Sequence, residues 1–305
     1  MIQRLNNLEI LKVTGNSITE VFGFEGLEEG RRYLERLKEL RLDNLSQLAS
    51  IWKGPCQLAD FRNVKTVIVI KCNKLKFLFS PSMSQGLLQL EELWVEDCSD
   101  LDEIIQKDGD KTAEGIPNTP VFENLQELHI HNMESVKEMC VGQLSPGSFE
   151  KLKFLEVTGN SITEVFGFEG LEEGRRYLER LKELRLDNLS QLASIWKGPC
   201  QLADFRNVKT VIVIKCNKLK FLFSPSMSQG LLQLEELWVE DCSDLDEIIQ
   251  KDEFPFLEHL HVRDCPNFRT PNFHSSKQVH FNNERHYNLL KKRLKEPEDM
   301  SNAVE

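Results

Sequence analysis

Residues 37–42 read Leu-Lys-Glu-Leu-Arg-Leu, and the pattern Leu-x-x-Leu-x-Leu, with Val or Ile allowed at the apolar positions, decides the fold. The pattern occurs ten times along the chain. Its copies start near residues 8, 37, 64, 90, 125, 152, 181, 208, 234 and 257. Successive starts are 23 to 35 residues apart, so one short structural unit is used again and again.

Each unit predicts a short strand whose alternate apolar side chains point to one side. Most of the spacings fall in the range of about 20–29 residues that is typical of leucine-rich repeats. One repeat buries too little apolar surface to offset the entropy of ordering its backbone, but stacked repeats share a core. We therefore predict an α/β repeat fold, a leucine-rich-repeat solenoid shaped as a curved horseshoe of about ten repeats. Short parallel strands should form its concave face, with irregular or short helical segments on the convex face.

A larger repeat contains the small ones. The segment Val13–Asp108 recurs without a change as Val157–Asp252, 144 residues later. The identity includes loop residues that no fold would dictate, so it reflects a recent duplication or a gene-prediction artefact.

Both ends of the chain depart from the repeat. We predict one solenoid over residues 1–268 and, over residues 269–305, a C-terminal cap or helix (Asn282–Leu294) with a disordered tail. The N-terminus enters the first repeat within seven residues, so a capping neighbour is expected before it. The segment 109–120, rich in Gly, Pro and polar residues, should be a surface loop.

Composition excludes several classes of function. The net charge of -11 disfavours binding to nucleic acid and to an anionic membrane surface. No apolar run approaches the ~18 residues of a membrane span, and the N-terminus lacks a secretory core. These features predict a cytoplasmic protein in a reducing compartment.

The eight cysteines therefore need an explanation other than disulfides. Five of them follow the last apolar strand residue by three positions: Cys72, Cys98, Cys216, Cys242 and Cys265. We interpret these as small buried hydrophobes stacked in a ladder. The paired Cys-x-x-Cys spacing of many zinc sites is absent.

The residues between the core positions should line the concave face and meet solvent. On it, Ile68, Ile70 and Trp94 form an apolar cluster rimmed by charge, which is a common signature of protein contacts. Packing of these residues only on one another is the equally open alternative. The predicted partner-binding residues of this face are Arg41, Ile68, Ile70, Trp94, Glu96, His129, His131, Arg185, Ile212, Ile214, Trp238, Glu240 and His261.

Catalytic and metal sites find less support. His129 and His131 share a strand face and could bind a metal, but the pattern places no third ligand, which favours an ordinary surface. The many carboxylates are typical of a solvated acidic face. Neither a Gly-x-Ser-x-Gly nor a His-Glu-x-x-His motif occurs. We predict no enzyme activity, no metal and no cofactor.

Three segments resemble one family of repeat proteins more specifically than the general repeat pattern does. Residues 75–93, LKFLFSPSMSQGLLQLEEL, resemble a repeat of the coiled-coil-type plant nucleotide-binding leucine-rich-repeat (NB-LRR) disease-resistance proteins. Leu101–Ile105 and Leu48–Trp52 are similar to the same family, and the resemblance covers most of residues 5–268. It implies the effector-sensing and autoinhibitory region of an intracellular immune receptor. The implied partner is a pathogen effector, a guarded host protein, or a nucleotide-binding domain in cis or in trans.

The nucleotide-binding part of that family is missing from the sequence. No Gly-x-x-x-x-Gly-Lys-[Ser/Thr] phosphate loop, no Met-His-Asp switch motif and no N-terminal coiled coil occur. The chain is therefore a fragment, a truncated paralogue or a stand-alone binder. The alternative function is a stand-alone leucine-rich-repeat adaptor, or a substrate-recognition arm in ubiquitin transfer.

Overall fold

The computed structural model covers most of the repeat region in detail. It describes residues 7–15, 17–22, 33–52, 60–106, 122–135, 148–159, 161–167, 178–197, 205–223, 227, 230–248, 257–269 and 279–280.

Short strands dominate the described residues, with one short helix among them. In chain order the strands are β1 (Ile10–Thr14), β2 (Glu20–Phe22), β3 (Glu39–Asp43), β4 (Ser50–Trp52), β5 (Thr66–Ile70), β6 (Phe77–Phe79), β7 (Glu92–Glu96), β8 (Glu103–Ile105), β9 (Glu127–His131), β10 (Phe154–Thr158), β11 (Glu164–Gly167), β12 (Glu183–Asp187), β13 (Ser194–Lys197), β14 (Thr210–Ile214), β15 (Glu236–Glu240), β16 (His259–Arg263) and β17 (Val279–His280). The helix is α1 (Pro81–Gly86).

One parallel sheet of eleven strands organises the described residues, in the order β1-β3-β5-β7-β9-β10-β12-β14-β15-β16-β17. The first ten of these strands are the ten predicted repeats. Neighbouring strands pair in phase, so that Leu11 lies opposite Leu40 and Leu40 opposite Val67. The same register continues between the duplicated segments, where Leu128 lies opposite Leu155. The predicted parallel-strand solenoid is confirmed.

The core lies on one side of this sheet. Leu40, Leu42 and Leu155 are at most 1% exposed, because each is covered by its equivalents on both neighbouring strands. Leu11 lies on the edge strand and is half-buried. The predicted inward register of the leucines is therefore correct.

Three smaller sheets lie in the segments that connect successive strands of the main sheet. They are the parallel pairs β2–β4, β6–β8 and β11–β13. Helix α1 begins after Ser80, whose hydroxyl accepts a hydrogen bond from the Met83 amide, a standard N-cap. Helix α1 matches the predicted short helical segments, whereas the three strand pairs differ from the prediction, which placed irregular or helical segments there.

The cysteine ladder is present as predicted. Cys72, Cys98, Cys216 and Cys242 are free and fully buried, and Cys265 is half-buried. The Cys72 thiol contacts the Ile70 carbonyl at 3.4 Å, and Cys98 contacts the Glu96 carbonyl at 3.3 Å. Burial raises the pKa of the Cys216 thiol to about 12, so it stays protonated and unreactive.

The C-terminal part departs from expectation in one respect. The predicted solenoid ends at residue 268, yet β17 adds an eleventh strand to the main sheet, with Val279 opposite Leu260. The predicted loop 109–120, the predicted helix Asn282–Leu294 and the cysteines Cys56, Cys140 and Cys200 lie outside the described residues. Within the described residues, no helix has the length and apolar character needed to cross a bilayer.

Candidate functional site

The candidate site lies on the variable face, defined as the side of the main sheet that carries the residues between the core positions. The strand register aligns its central side chains into one row across the strands. In order, this middle row reads Arg41, Ile68, Trp94, His129, Glu156, Arg185, Ile212, Trp238 and His261. All the predicted partner-binding residues lie on this face, either in the row or on its flank.

In the first copy, the predicted apolar cluster forms and stays partly open. Ile68 and Trp94 are register partners on β5 and β7, and both are half-buried. Ile70 is buried, at 9% exposure, so the predicted exposure is wrong for this residue. The indole Nε1 of Trp94 donates a hydrogen bond to Glu96 Oε2 at 3.1 Å, which orients the ring. Arg41 remains accessible, with 31% of its side chain exposed.

In the second copy, the prediction of an exposed face is wrong for most of the residues. Of the predicted residues in this copy, Ile214 alone is half-buried. The residues that the structure buries are Arg185, Ile212, Trp238, Glu240 and His261.

For Arg185 and Glu240, the difference lies in residues outside the two identical copies. The Arg185 guanidinium lies over the Phe154 ring at 5.1 Å, whereas Ile10, which is 50% exposed, holds the place of Phe154 before the first copy. Similarly, Glu240 is covered by an ion pair with Arg263. Sequence reasoning treated every strand as equally open and so missed this effect.

A cluster of two imidazoles and a carboxylate occupies the junction between the copies. Strand β9 supplies His129 and His131, and β10 supplies Glu156. Glu156 Oε2 lies 3.1 Å from His129 Nδ1 and 3.3 Å from His131 Nε2. The three side chains are 8–14% exposed.

The electrostatics of the cluster favour the ionised carboxylate. Burial alone would raise the pKa of Glu156, but the imidazoles of His129 and His131 outweigh it and lower the pKa to about 2. Sequence reasoning predicted no third ligand beside the histidine pair, and here it was wrong. Glu156 follows His129 in the middle row, so the strand register was the signal that could have found it.

Two groups among the described residues could hold a metal ion. The first is His129, His131 and Glu156, and the second is Glu92, Glu127 and His129. In the second group, Glu127 Oε2 lies 3.7 Å from His129 Nε2, the ring nitrogen opposite the one that faces Glu156. His129 therefore connects the two groups.

Comparison with known proteins gives one family match. Residues 1–99 and 104–243 match the family described as "Plant disease resistance protein RPS2-like, leucine-rich repeats". Among solved structures, the chain is similar to the leucine-rich repeat domain of the type III effector XCV3220 (XopL), with 20% identity and a TM-score of 0.44. That alignment covers 77% of this chain and 63% of the effector domain, so the chain spans less than two thirds of that structure. No curated protein is significantly similar to the chain.

Proposed function

The chain belongs to the RPS2-like leucine-rich-repeat family of plant disease resistance proteins, and on that premise we propose that it acts in plant defence by binding another protein through its variable face. It is not an enzyme in this proposal, and it works in the cytoplasm. The partner is a pathogen effector, a guarded host protein, or a nucleotide-binding domain supplied in cis or in trans.

The observation that carries the proposal is the Ile68–Trp94 pair. Two large apolar side chains lie side by side on the variable face and keep part of their surface in solvent. Arg41 and Glu96 flank the pair. An apolar centre with a charged rim is the usual anatomy of a protein interface, and Trp and Arg are enriched among the residues that contribute most to binding.

The two copies should contribute unequally to recognition. Ile212 and Trp238 are 4% and 7% exposed, so they offer a partner little surface. We therefore place the main contact on the first copy, around Ile68 and Trp94. In the second copy, the equivalent residues stabilise the sheet surface.

The proposal predicts different effects for two matched substitutions. Trp94→Ala should weaken binding to a separately expressed nucleotide-binding domain of a coiled-coil-type resistance protein at least tenfold, which corresponds to about 1.4 kcal/mol. Its melting curve should change little. Trp238→Ala removes a buried ring and should lower the free energy of unfolding by about 3 kcal/mol, while the folded fraction binds normally.

Pull-down and calorimetry with the purified full chain, together with thermal unfolding, would measure both effects. Equal binding by the wild type and Trp94→Ala would contradict the proposed surface. Association with a ubiquitin-ligase scaffold, without association with the nucleotide-binding domain, would favour the adaptor function instead.

A further inference from the structure

The distances within the junction cluster match those between the ligands of a metal ion. Bonds of about 2.0–2.1 Å at tetrahedral angles place two ligand atoms about 3.3 Å apart. Glu156 Oε2 lies 3.1 Å from His129 Nδ1 and 3.3 Å from His131 Nε2. The ligand atoms of the three residues all lie within 4.8 Å of one another.

We propose that His129, His131 and Glu156 bind a divalent transition-metal ion of the zinc type, with one coordination position left open. This inference is independent of the proposed protein-binding function. It gives the variable face a second kind of ligand, a metal ion, beside the protein partner.

The surroundings hold the ligands in place. The Trp94 ring stacks on His129 with ring centroids 4.4 Å apart, and the Phe154 ring lies 5.0 Å from the same imidazole. The opposite nitrogen of His129 faces Glu127 at 3.7 Å, and a carboxylate near the distal ring nitrogen is common for metal-binding histidines. Trp94, Phe154 and Glu127 thus surround the His129 ring on three sides and restrict its orientation.

The ligand nitrogen of His131 is buried beside the same carboxylate oxygen. Its Nε2 atom is buried and has no well-directed hydrogen bond among the described residues, although Glu156 Oε2 lies at 3.3 Å. Buried polar atoms normally have a partner, and a metal ion would provide one for this nitrogen.

The donor set selects the metal class. Imidazole nitrogen with carboxylate oxygen suits zinc and its neighbours in the transition series, whereas calcium and magnesium prefer oxygen alone. The thiols of Cys72, Cys98, Cys216 and Cys242 cannot compete in the folded protein, because they are buried in the core.

The chain contains a natural control for this site. His261 stacks on Trp238 at 4.5 Å as His129 stacks on Trp94, but Arg263 stands in the place of His131. Just before the first copy, Lys12 stands in the place of Glu156. Within the part of the chain that the structure describes, the set of His129, His131 and Glu156 therefore forms once, between the two copies.

Calorimetric titration of the chelator-treated full chain with zinc chloride tests the proposal. We expect binding of one ion, and we expect His131→Asn and Glu156→Gln each to weaken it at least tenfold. The matched variant His261→Asn should bind zinc as the wild type does, within a factor of two. Cobalt titration should give a visible spectrum of low-coordinate Co²⁺ that both ligand variants lose.

Far-UV circular dichroism of each variant confirms that the fold is retained. His131→Asn lies at a half-buried position and decides the question if Glu156→Gln fails to fold. Absence of zinc binding by the wild type, or binding that His131→Asn leaves unchanged, would overturn the proposal. A tenfold loss in His261→Asn alone would also overturn it, since the ion would then lie elsewhere.

Discussion

At the scale of the residue, the position directly after each main-sheet strand has the strictest backbone requirement. Asn44, Asp97 and Asn132 occupy it with φ between 52° and 55°, in the left-handed region. Gly159 follows β10 with φ of 62°. Asn, Asp and Gly adopt this region at lower cost than other residues, which favours them at this turn. Lys71 and Lys215, which follow β5 and β14, adopt it as well, with φ of 54° and 53°. The leucine pattern predicted the strands but carried no information on this position.

Gly159→Ala tests that requirement. We expect it to lower the free energy of unfolding by about 1–2 kcal/mol, because an L side chain in the left-handed region is strained. The added Cβ would also collide with the Asn132 side chain, which donates a hydrogen bond to Asp97 at 3.0 Å. Urea unfolding followed by circular dichroism measures the loss.

Gly15 holds the same place in the first copy, but its φ of 129° differs from the 62° of Gly159 and is also rare for L side chains. No described atom lies within 4 Å of a Cβ built at Gly15. Gly15→Ala should therefore lower the free energy of unfolding through backbone strain alone. Relief of the loss in Gly159→Ala by truncation of Asn132 would show the contribution of the collision, and an unchanged loss would show that the collision is unimportant.

At the scale of the element, the sequence predicted which side chains each strand buries but not how deeply each strand is covered. Leu155 and Leu11 hold the same repeat position, yet Leu155 is fully buried in β10 while Leu11 is half-buried at the sheet edge. Trp238 is also more buried than Trp94, although each lies between an Ile and a His in the middle row. The burial of the two leucines depends on what adjoining strands contribute, and periodicity within one strand does not contain that information. Glu156 escaped attention as a third ligand for the same reason.

Leu155→Ala should therefore cost more than Leu11→Ala. Truncating a fully buried leucine creates a cavity and lowers the free energy of unfolding by about 2–5 kcal/mol. Leu11→Ala should cost less than half as much, since part of its side chain is already in solvent. Denaturant midpoints of the two variants give the comparison, and equal losses would contradict the difference in burial.

At the scale of the whole molecule, the main sheet is a one-dimensional array. Each of its strands is hydrogen-bonded only to the strands beside it. Stability in such an array is close to a sum of terms for single repeats and for interfaces between neighbours. The β9–β10 interface joins five described repeat strands on one side to the remaining strands on the other. The order of the first ten strands followed directly from the sequence, because each strand simply continues the array, whereas β17 was not predicted.

Val157→Asp should uncouple the two halves. Val157 is fully buried in β10, so the charge should cost at least about 3 kcal/mol at the central interface. We expect the urea transition to broaden or to divide into two, with circular dichroism and tryptophan fluorescence no longer coincident. Val13→Asp, the equivalent change in the edge strand, should leave one transition. Coincident transitions in Val157→Asp would show that the array unfolds as a single unit.

The seam between β9 and β10 has the same in-phase pairing as the strands on either side of it. A further block of 144 residues, inserted at this point, would thus lengthen the solenoid. The new strands could pair with β9 and β10 in the same register that joins β9 to β10 now. Identical segments such as Val13–Asp108 and Val157–Asp252 are natural substrates for unequal crossing-over, which adds or removes a whole unit of 144 residues in one event. Each added unit would place its own equivalents of His129 and His131 beside an equivalent of Glu156. The number of the proposed metal sites would therefore increase with the number of units.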